Sequence, residues 1–256
     1  MKLAAETMGQ GADLVLLHGW GMNSMVWEPL LPRLRERFRV TRVDLPGHGD
    51  SPWDSRLVTL EQWAQALLET VPPRAHWMGW SLGGLVMQQA ASLAPERAEA
   101  LVGIATTPSF VRRQGWEAAM EPQLLEQFAV QLEQDHAGTL KRFLALQFQG
   151  VKQGRALQRQ VSTLLASRPA PRPGALRAGL RLLQESDLRN ALSGLEPPLL
   201  WILGERDRLV PPALAGLLPE RAPHLQVRRV PGGGHAPFLS HPEEVAGLVT
   251  DFQAHA

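Results

Sequence analysis

Met78-Gly79-Trp80-Ser81-Leu82-Gly83-Gly84 decides the reading of this chain. An apolar run, Ala75 to Trp77, precedes it, and Leu85-Val86-Met87-Gln88-Gln89-Ala90-Ala91 after it has the composition of a helix. A strand, the pattern Gly-x-Ser-x-Gly and a helix in that order make a very sharp turn, with the serine at its apex. Such a turn forces the backbone at Ser81 into a strained conformation, and Gly79 and Gly83 keep Cβ atoms out of the crowded approach. The Ser81 hydroxyl is then lifted above the sheet edge, over a helix N-terminus.

Outward from this turn, the N-terminal half alternates. Leu14 to Leu17 is a continuous apolar run closed by His18-Gly19-Trp20-Gly21, as expected of a strand buried on both faces. Val26 to Arg37 has amphipathic spacing and predicts a helix. Val40 to Val43 predicts a second strand, closed by the breaker-rich Asp44-Leu45-Pro46-Gly47-His48-Gly49. Thr59 and Gln62 form a capping-box pattern that opens a helix running to about Thr70. Ala75 to Trp80 and Ala100 to Ala105 are the next strands. From about Pro108 to Ser193 the segments are helical instead: Gln123 to Gln134, Thr139 to Gln147, Arg155 to Ala166 and Leu176 to Leu183, with a stiff linker at Arg168 to Pro173. Strands return at Leu199 to Leu203 and Leu225 to Val230, the latter alternating like an edge strand, and Pro242 opens a terminal helix. The reading is a mostly parallel sheet covered on both faces (residues 1–107 and 194–256), interrupted by a helical lid at residues 108–193.

Composition excludes several classes. A chain of 256 residues with 44% hydrophobic and 20% charged residues is ordinary for a globular protein, and a net charge of +1 gives no global attraction to nucleic acid or membrane. Without cysteine there is neither a disulfide framework nor a thiolate metal site. The N-terminus lacks a secretory h-region, and no apolar run approaches the ~20 residues that span a bilayer. A cytoplasmic monomer is expected. No His-Glu-x-x-His, dinucleotide fingerprint or phosphate-binding loop occurs, so no metal or cofactor is expected.

A serine hydroxyl needs a base to take its proton, and the base needs an orienting acid. Asp207 follows the Leu199–Leu203 run and His235 follows the last strand, so Ser81, Asp207 and His235 each lie at a strand end, where a parallel sheet places its crevice. Separately they read as a helix cap, a turn residue and a loop histidine; in this order and placement they form a catalytic triad. The oxyanion of an acyl-transfer intermediate needs donors, expected from the N–H of Leu82 and of Trp20, whose indole either walls the acyl pocket or is a core aromatic. His18 is expected to hold the loop that carries Trp20. His48 belongs to its turn and His241 opens a helix, while His76, His136, His224 and His255 have no partner pattern.

Charge is uneven. Between Ala137 and Arg181 there are nine basic residues (Lys141, Arg142, Lys152, Arg155, Arg159, Arg168, Arg172, Arg177 and Arg181) and no acidic one. A solvated surface is the plain reading. Like charges on one helix face, such as Arg155 and Arg159, destabilise it modestly, which an acidic partner would offset. Missing aromatic interleaving argues against nucleic acid.

The chain resembles the α/β-hydrolase superfamily over its whole length and, within it, the pimeloyl-[acyl-carrier protein] methyl ester esterases of biotin synthesis. The resemblance rests on Leu16-Leu17-His18-Gly19-Trp20-Gly21, Asp44-Leu45-Pro46-Gly47, Gly79-Trp80-Ser81-Leu82-Gly83-Gly84-Leu85-Val86, Arg142-Phe143-Leu144-Ala145-Leu146-Gln147 and His235-Ala236-Pro237-Phe238. It implies an α/β-hydrolase fold and release of methanol from methyl pimeloyl-acyl carrier protein. It also implies a substrate site lined by Trp20, Ser81, Leu82, Phe143, Leu144, Ala145, Leu146, Gln147 and His235. The acidic carrier protein would then meet Arg142, Arg155 and Arg159. The lid departs from the family pattern outside Arg142 to Gln147. Two other functions are compatible with the same residues: a generalist carboxylesterase on short free esters, and a noncatalytic homologue that binds an acidic protein.

Overall fold

A computed structural model describes residues 1–254, so His255 lies outside the described residues. Seven strands form one sheet in the order β1-β3-β2-β4-β5-β6-β7. They are β1 (Ala5–Gly9), β2 (Ala12–Leu17), β3 (Phe38–Val43), β4 (Ala75–Trp80), β5 (Ala98–Ile104), β6 (Leu199–Gly204) and β7 (Leu225–Val230). Every pairing is parallel except β1 with β3, where Ala5 faces Val43. In β6 every residue is buried, and in β4 and β5 nearly every one is, so successive side chains enter packed layers on both faces. That is why these strands read as continuous apolar runs. β7 pairs only with β6 and exposes Gln226, Arg228 and Arg229, as an edge strand does, though the expected alternation breaks at the adjacent Arg228 and Arg229.

Eleven α-helices follow among the described residues: α1 (Leu31–Leu34), α2 (Leu60–Leu68), α3 (Leu82–Leu93), α4 (Pro122–Gln134), α5 (His136–Gln147), α6 (Gly154–Leu165), α7 (Pro173–Glu185), α8 (Arg189–Leu192), α9 (Leu214–Arg221), α10 (Pro237–Ser240) and α11 (Pro242–Gln253). The capping box at Thr59 is present: its Oγ1 accepts from Gln62 N–H at 3.2 Å, and Gln62 Oε1 accepts from Thr59 N–H at 3.0 Å. All of α4 to α8 lies between β5 and β6.

Two expectations need correction. The helix expected over Val26 to Arg37 is a 3-10 turn (Ser24–Trp27) followed by the single-turn α1. Pro29 and Pro32 each lack a backbone donor, so no continuous helix can form, even though Val26, Leu30, Leu31 and Leu34 are buried. The strand pattern also missed β1, because its residues alternate between exposed and half-buried on an edge strand and leave no apolar run.

The helices between β5 and β6 are fastened to the sheet domain. Asn23 Nδ2 donates to the Leu165 carbonyl at 3.0 Å, and Arg172 N–H donates to the Gly47 carbonyl at 2.8 Å. Arg168, in the linker between α6 and α7, forms ion pairs with Glu6 of β1 and with Asp50.

Candidate active site

β4 ends at Trp80 and α3 begins at Leu82, so the entire reversal falls on Ser81, at φ 53° and ψ −119°. This left-handed backbone is strained for a residue with a side chain. It is held by main-chain bonds on both sides. Ser81 N–H donates to the Ile104 carbonyl at 3.0 Å, and the Ser81 carbonyl accepts from Gly84 N–H at 2.9 Å and from the Thr106 hydroxyl at 2.8 Å. The turn closes only because two positions carry no Cβ. A Cβ on Gly79 would sit 2.7 Å from the Gly83 carbonyl oxygen, and one on Gly83 would sit 2.4 Å from the Leu17 carbonyl oxygen.

Ser81 Oγ lies 2.9 Å from His235 Nε2, and His235 Nδ1 lies 2.9 Å and 3.1 Å from the two oxygens of Asp207. Asp207 Oδ1 also accepts from the N–H groups of Leu209 and Val210, at 2.8 Å and 2.9 Å, which fixes the carboxylate plane. The structure therefore brings together three residues from the loops after β4, β6 and β7. All three are buried, Ser81 at 3% exposure, so the line Ser–His–Asp runs in a dry environment that strengthens each bond. With an ionised Asp207, Nδ1 carries the proton and Nε2 is free to accept from Ser81. This arrangement can generate a serine nucleophile, store its proton and return it.

Leu82 opens α3, so its N–H is one of the first-turn donors without an intrahelical partner and sits at the positive end of the helix dipole. The loop Gly19-Trp20-Gly21 lies directly on the turn at Ser81. It is held by two histidines. His18 Nδ1 lies 2.8 Å from the Gly19 carbonyl while its Nε2 accepts from Leu45 N–H at 3.0 Å. His48 Nδ1 lies 3.0 Å from the Pro46 carbonyl while its Nε2 accepts from Gly21 N–H at 3.3 Å. Each imidazole accepts through one nitrogen, so both must be neutral. His48 had only a turn role in the sequence pattern; its bond to Gly21 crosses 27 residues and leaves no local signal. Thr106, 25 residues from the Ser81 carbonyl it bonds, had no signal in the sequence either.

Burial pushes the His48 imidazole down to about 3, with neighbouring His18 acting in the same direction against the Pro46 carbonyl and Asp44. Burial also lowers His18, against Asp44 and the Gly19 carbonyl. Both are depressed in the folded state. Below about 6.5 the unfolded chain takes up protons that the native state refuses, so stability present above that pH falls as pH drops toward 3. We expect unfolding free energy to decline by roughly 1 kcal/mol per pH unit in this window on account of His48, with His18 adding to the decline in the same direction. Urea unfolding from pH 7 to pH 4 measures this, and His48→Gln should flatten the slope.

Trp20 is fully buried; its indole N–H donates to the Leu176 carbonyl of α7 at 2.8 Å, and its ring meets Phe143 of α5 edge-on at 4.8 Å. The five residues Phe143 to Gln147 do not share one surface, because they span more than a helical turn. Phe143, Leu144 and Gln147 are buried, and the Gln147 carbonyl accepts from His235 N–H at 3.2 Å. Both polar atoms of the Gln147 amide are buried without a protein partner. Ala145 and Leu146 instead line an outer cleft of about 930 Å³, together with Arg142, Arg155 and Arg159.

The uniformly basic stretch is not uniform in space. Arg142 faces Asp135 at 3.7 Å, Arg177 faces Glu133 at 3.6 Å, Arg181 faces Glu185 at 2.8 Å, and Arg168 is held by Glu6 and Asp50. Among the described residues Arg155 and Arg159 are exposed and form no ion pair. His76 and His224, without a partner pattern in the sequence, meet Glu99 at 3.2 Å and the Leu195 carbonyl at 2.9 Å. No group of three or more metal-ligating side chains occurs among the described residues, and no helix there is long and apolar enough to cross a membrane.

Residues 14–248 match the family model described as the alpha/beta hydrolase family. The chain is 44% identical over 254 residues to a pimeloyl-[acyl-carrier protein] methyl ester esterase of Methylococcus capsulatus, covering 99% of each chain. It is 45% identical over 250 residues to the protein of the same name from Photobacterium profundum, covering 98% of each. Among solved structures it is similar to an esterase from Exiguobacterium antarcticum, with a TM-score of 0.88 at 23% identity, covering 98% of this chain and 95% of that one, a likeness of fold.

Proposed function

This chain belongs to the alpha/beta hydrolase family, and from that premise we propose that it is a serine carboxylesterase that cleaves the methyl ester of pimeloyl-[acyl-carrier protein] in biotin synthesis. The hydrogen-bonded line from Ser81 through His235 to Asp207 carries the chemistry of this reading. The substrate follows from relatives that match this chain end to end and bear that name.

Ser81 attacks the ester carbonyl while its proton passes to His235 Nε2. Asp207, bonded at Nδ1, supports the imidazolium that forms. The N–H groups of Leu82 and Trp20 receive the oxyanion. His235 returns the proton to the departing methoxy group, methanol leaves, and a pimeloyl ester of Ser81 remains. Water then attacks with His235 again as base, giving the free carboxylate and restoring Ser81. No cofactor is needed. Gln147 of α5 bonds to His235 N–H, and Gly179 of α7 lies against Trp20 and Leu82, so in this reading the acyl chain reaches Ser81 between these helices. Phe143, Leu144 and Gln147 serve as its inner wall, and Ala145 and Leu146 stand at its outer end.

The acidic carrier protein docks on the cleft between α5 and α6, where Arg155 and Arg159 offer unpaired charge beside Arg142. A carrier-bound substrate also fits a cytoplasmic enzyme. Reversing both Arg155 and Arg159 to Glu is expected to raise KM for methyl pimeloyl-carrier protein roughly tenfold or more. Turnover of p-nitrophenyl butyrate, which has no carrier, should stay within about twofold. Raising salt should weaken the carrier reaction of the unmodified enzyme selectively, since screening acts over about 8 Å at physiological ionic strength. Steady-state kinetics at two salt concentrations checks both. The direct test of the pathway is growth of a biotin-requiring strain that lacks this esterase. The unmodified gene should restore growth and Ser81→Ala should not; growth with neither would refute the assignment.

A further inference from the structure

We propose that Trp80 is a positioning residue for the general base: its indole N–H donates to the main-chain carbonyl of His235 and so sets where the imidazole meets Ser81. The distance is 2.7 Å and the bond is buried. The inference rests on the serine-hydrolase reading of the site and adds to it a residue that the triad chemistry does not require.

The loop that carries His235 needs an external anchor. It begins with Gly232-Gly233-Gly234, which lose more backbone freedom on ordering than any other residues would. Glu205 Oε2 accepts from Gly232 N–H at 2.8 Å and the Gly233 carbonyl accepts from Arg206 N–H at 2.8 Å, and two bonds to the His235 main chain complete the anchor at the histidine itself. The amide donates to the Gln147 carbonyl of α5, and the carbonyl accepts from Trp80. The first comes from the inserted helices, the second from the central strand β4. Trp80 is also the residue immediately before the nucleophile. Ser81, Trp80 and His235 therefore close a small ring, through the 2.9 Å contact of Oγ with Nε2 on one side and the indole bond on the other. Any drift of the His235 main chain relative to Ser81 must stretch the indole bond. The Trp80 ring also packs at 5.8 Å from the His235 ring and at 5.1 Å from Phe238 of α10, just beyond that loop.

Burial alone does not demand this bond. Trp27, Trp77 and Trp201 bury their indole N–H groups in the same core with no protein partner. Trp77 lies on the same strand as Trp80, so the two form an internal comparison: one indole N–H is tied to the catalytic loop and the other is tied to nothing.

The experiment removes the donor while keeping the shape. 3-Benzothienylalanine, which replaces the indole N–H by sulfur, is introduced at position 80 by codon suppression; Trp80→Phe is a simpler companion, and the same isostere at position 77 is the control. Hydrolysis of p-nitrophenyl butyrate and the rate of Ser81 labelling by a fluorophosphonate are measured. The low-field proton resonance of the His235–Asp207 bond is followed by NMR. We expect kcat and the labelling rate to fall about 10- to 100-fold at position 80, the cost of a small misplacement of a catalytic group. KM should stay within about twofold, and the low-field resonance should broaden or vanish. The isostere at position 77 should change none of these. The proposal is overturned if the isostere at position 80 keeps kcat within twofold with the resonance intact. It is equally overturned if the loss lies in KM with the resonance intact, or if position 77 behaves like position 80. Should Trp80→Phe fail to fold, the isostere decides. If the unmodified protein reacts with neither ester nor fluorophosphonate, the serine-hydrolase reading fails instead, and the two failures are thereby distinguished.

Discussion

Ser81→Ala is expected to lower kcat about a millionfold, with KM little changed. The figure follows from how a serine–histidine pair works. The hydroxyl and the imidazole act as one unit, so deleting either removes nearly all of the nucleophilic route. What remains is the contribution of the proposed oxyanion donors, the Leu82 and Trp20 N–H groups, and of substrate binding, about 10³- to 10⁴-fold over water. His235→Ala should therefore cost about as much as Ser81→Ala, and the double variant should cost no more than either. Single-turnover kinetics on a p-nitrophenyl ester measures all three. Additive losses would mean that the 2.9 Å contact of Ser81 with His235 is not the catalytic unit. Folding should survive, because the strained backbone at residue 81 is held by the Ile104 carbonyl, Gly84 N–H and Thr106, none of which touches the deleted oxygen.

Asp207→Asn is expected to reduce kcat about ten-thousandfold without moving any backbone atom. The argument lies in the partners of each oxygen. Oδ1 already accepts from Leu209 and Val210, so the oxygen of an asparagine must stay there to keep those donors satisfied. The amide NH₂ then faces His235 Nδ1, which has to become an acceptor. The imidazole proton moves to Nε2 and points at Ser81, and the enzyme loses its base by a change of tautomer alone. The loss should be greatest near neutrality and ease at high pH, where hydroxide can remove the Ser81 proton directly. A pH–rate profile that keeps the unmodified shape would contradict this account. Asp207→Ala should be less harmful than that tautomer trap if water can fill the space, a comparison that separates orientation from charge.

Much of this was legible along the chain. A parallel sheet buried on both faces leaves continuous apolar runs, and Leu14 to Leu17 and Leu199 to Leu203 carry that mark, as does Ala75 to Trp80 apart from the half-buried His76. The turn at Ser81 announces itself because steric crowding admits only glycine at residues 79 and 83. Asp207 and His235 could be nominated because loops after parallel strands converge on one edge. The failures were local. Proline overrode amphipathic spacing between Val26 and Arg37, and the solvated edge strand β1 left no hydrophobic pattern.

What the sequence by itself determined is the alternation of buried strands, the strained serine turn and the chemical types waiting at the strand ends, since each depends on neighbours within a few residues. The tertiary structure alone decided the distances between residues that lie far apart in sequence. It set the tautomers of His18 and His48, assigned Glu6, Asp50 and Glu133 as partners of arginines that look unpaired in the sequence, and placed the Trp80 indole on the His235 carbonyl. Hydrogen bonds and ion pairs act over a few ångströms of space and carry no record of separation along the chain, so only folding reveals which of them form.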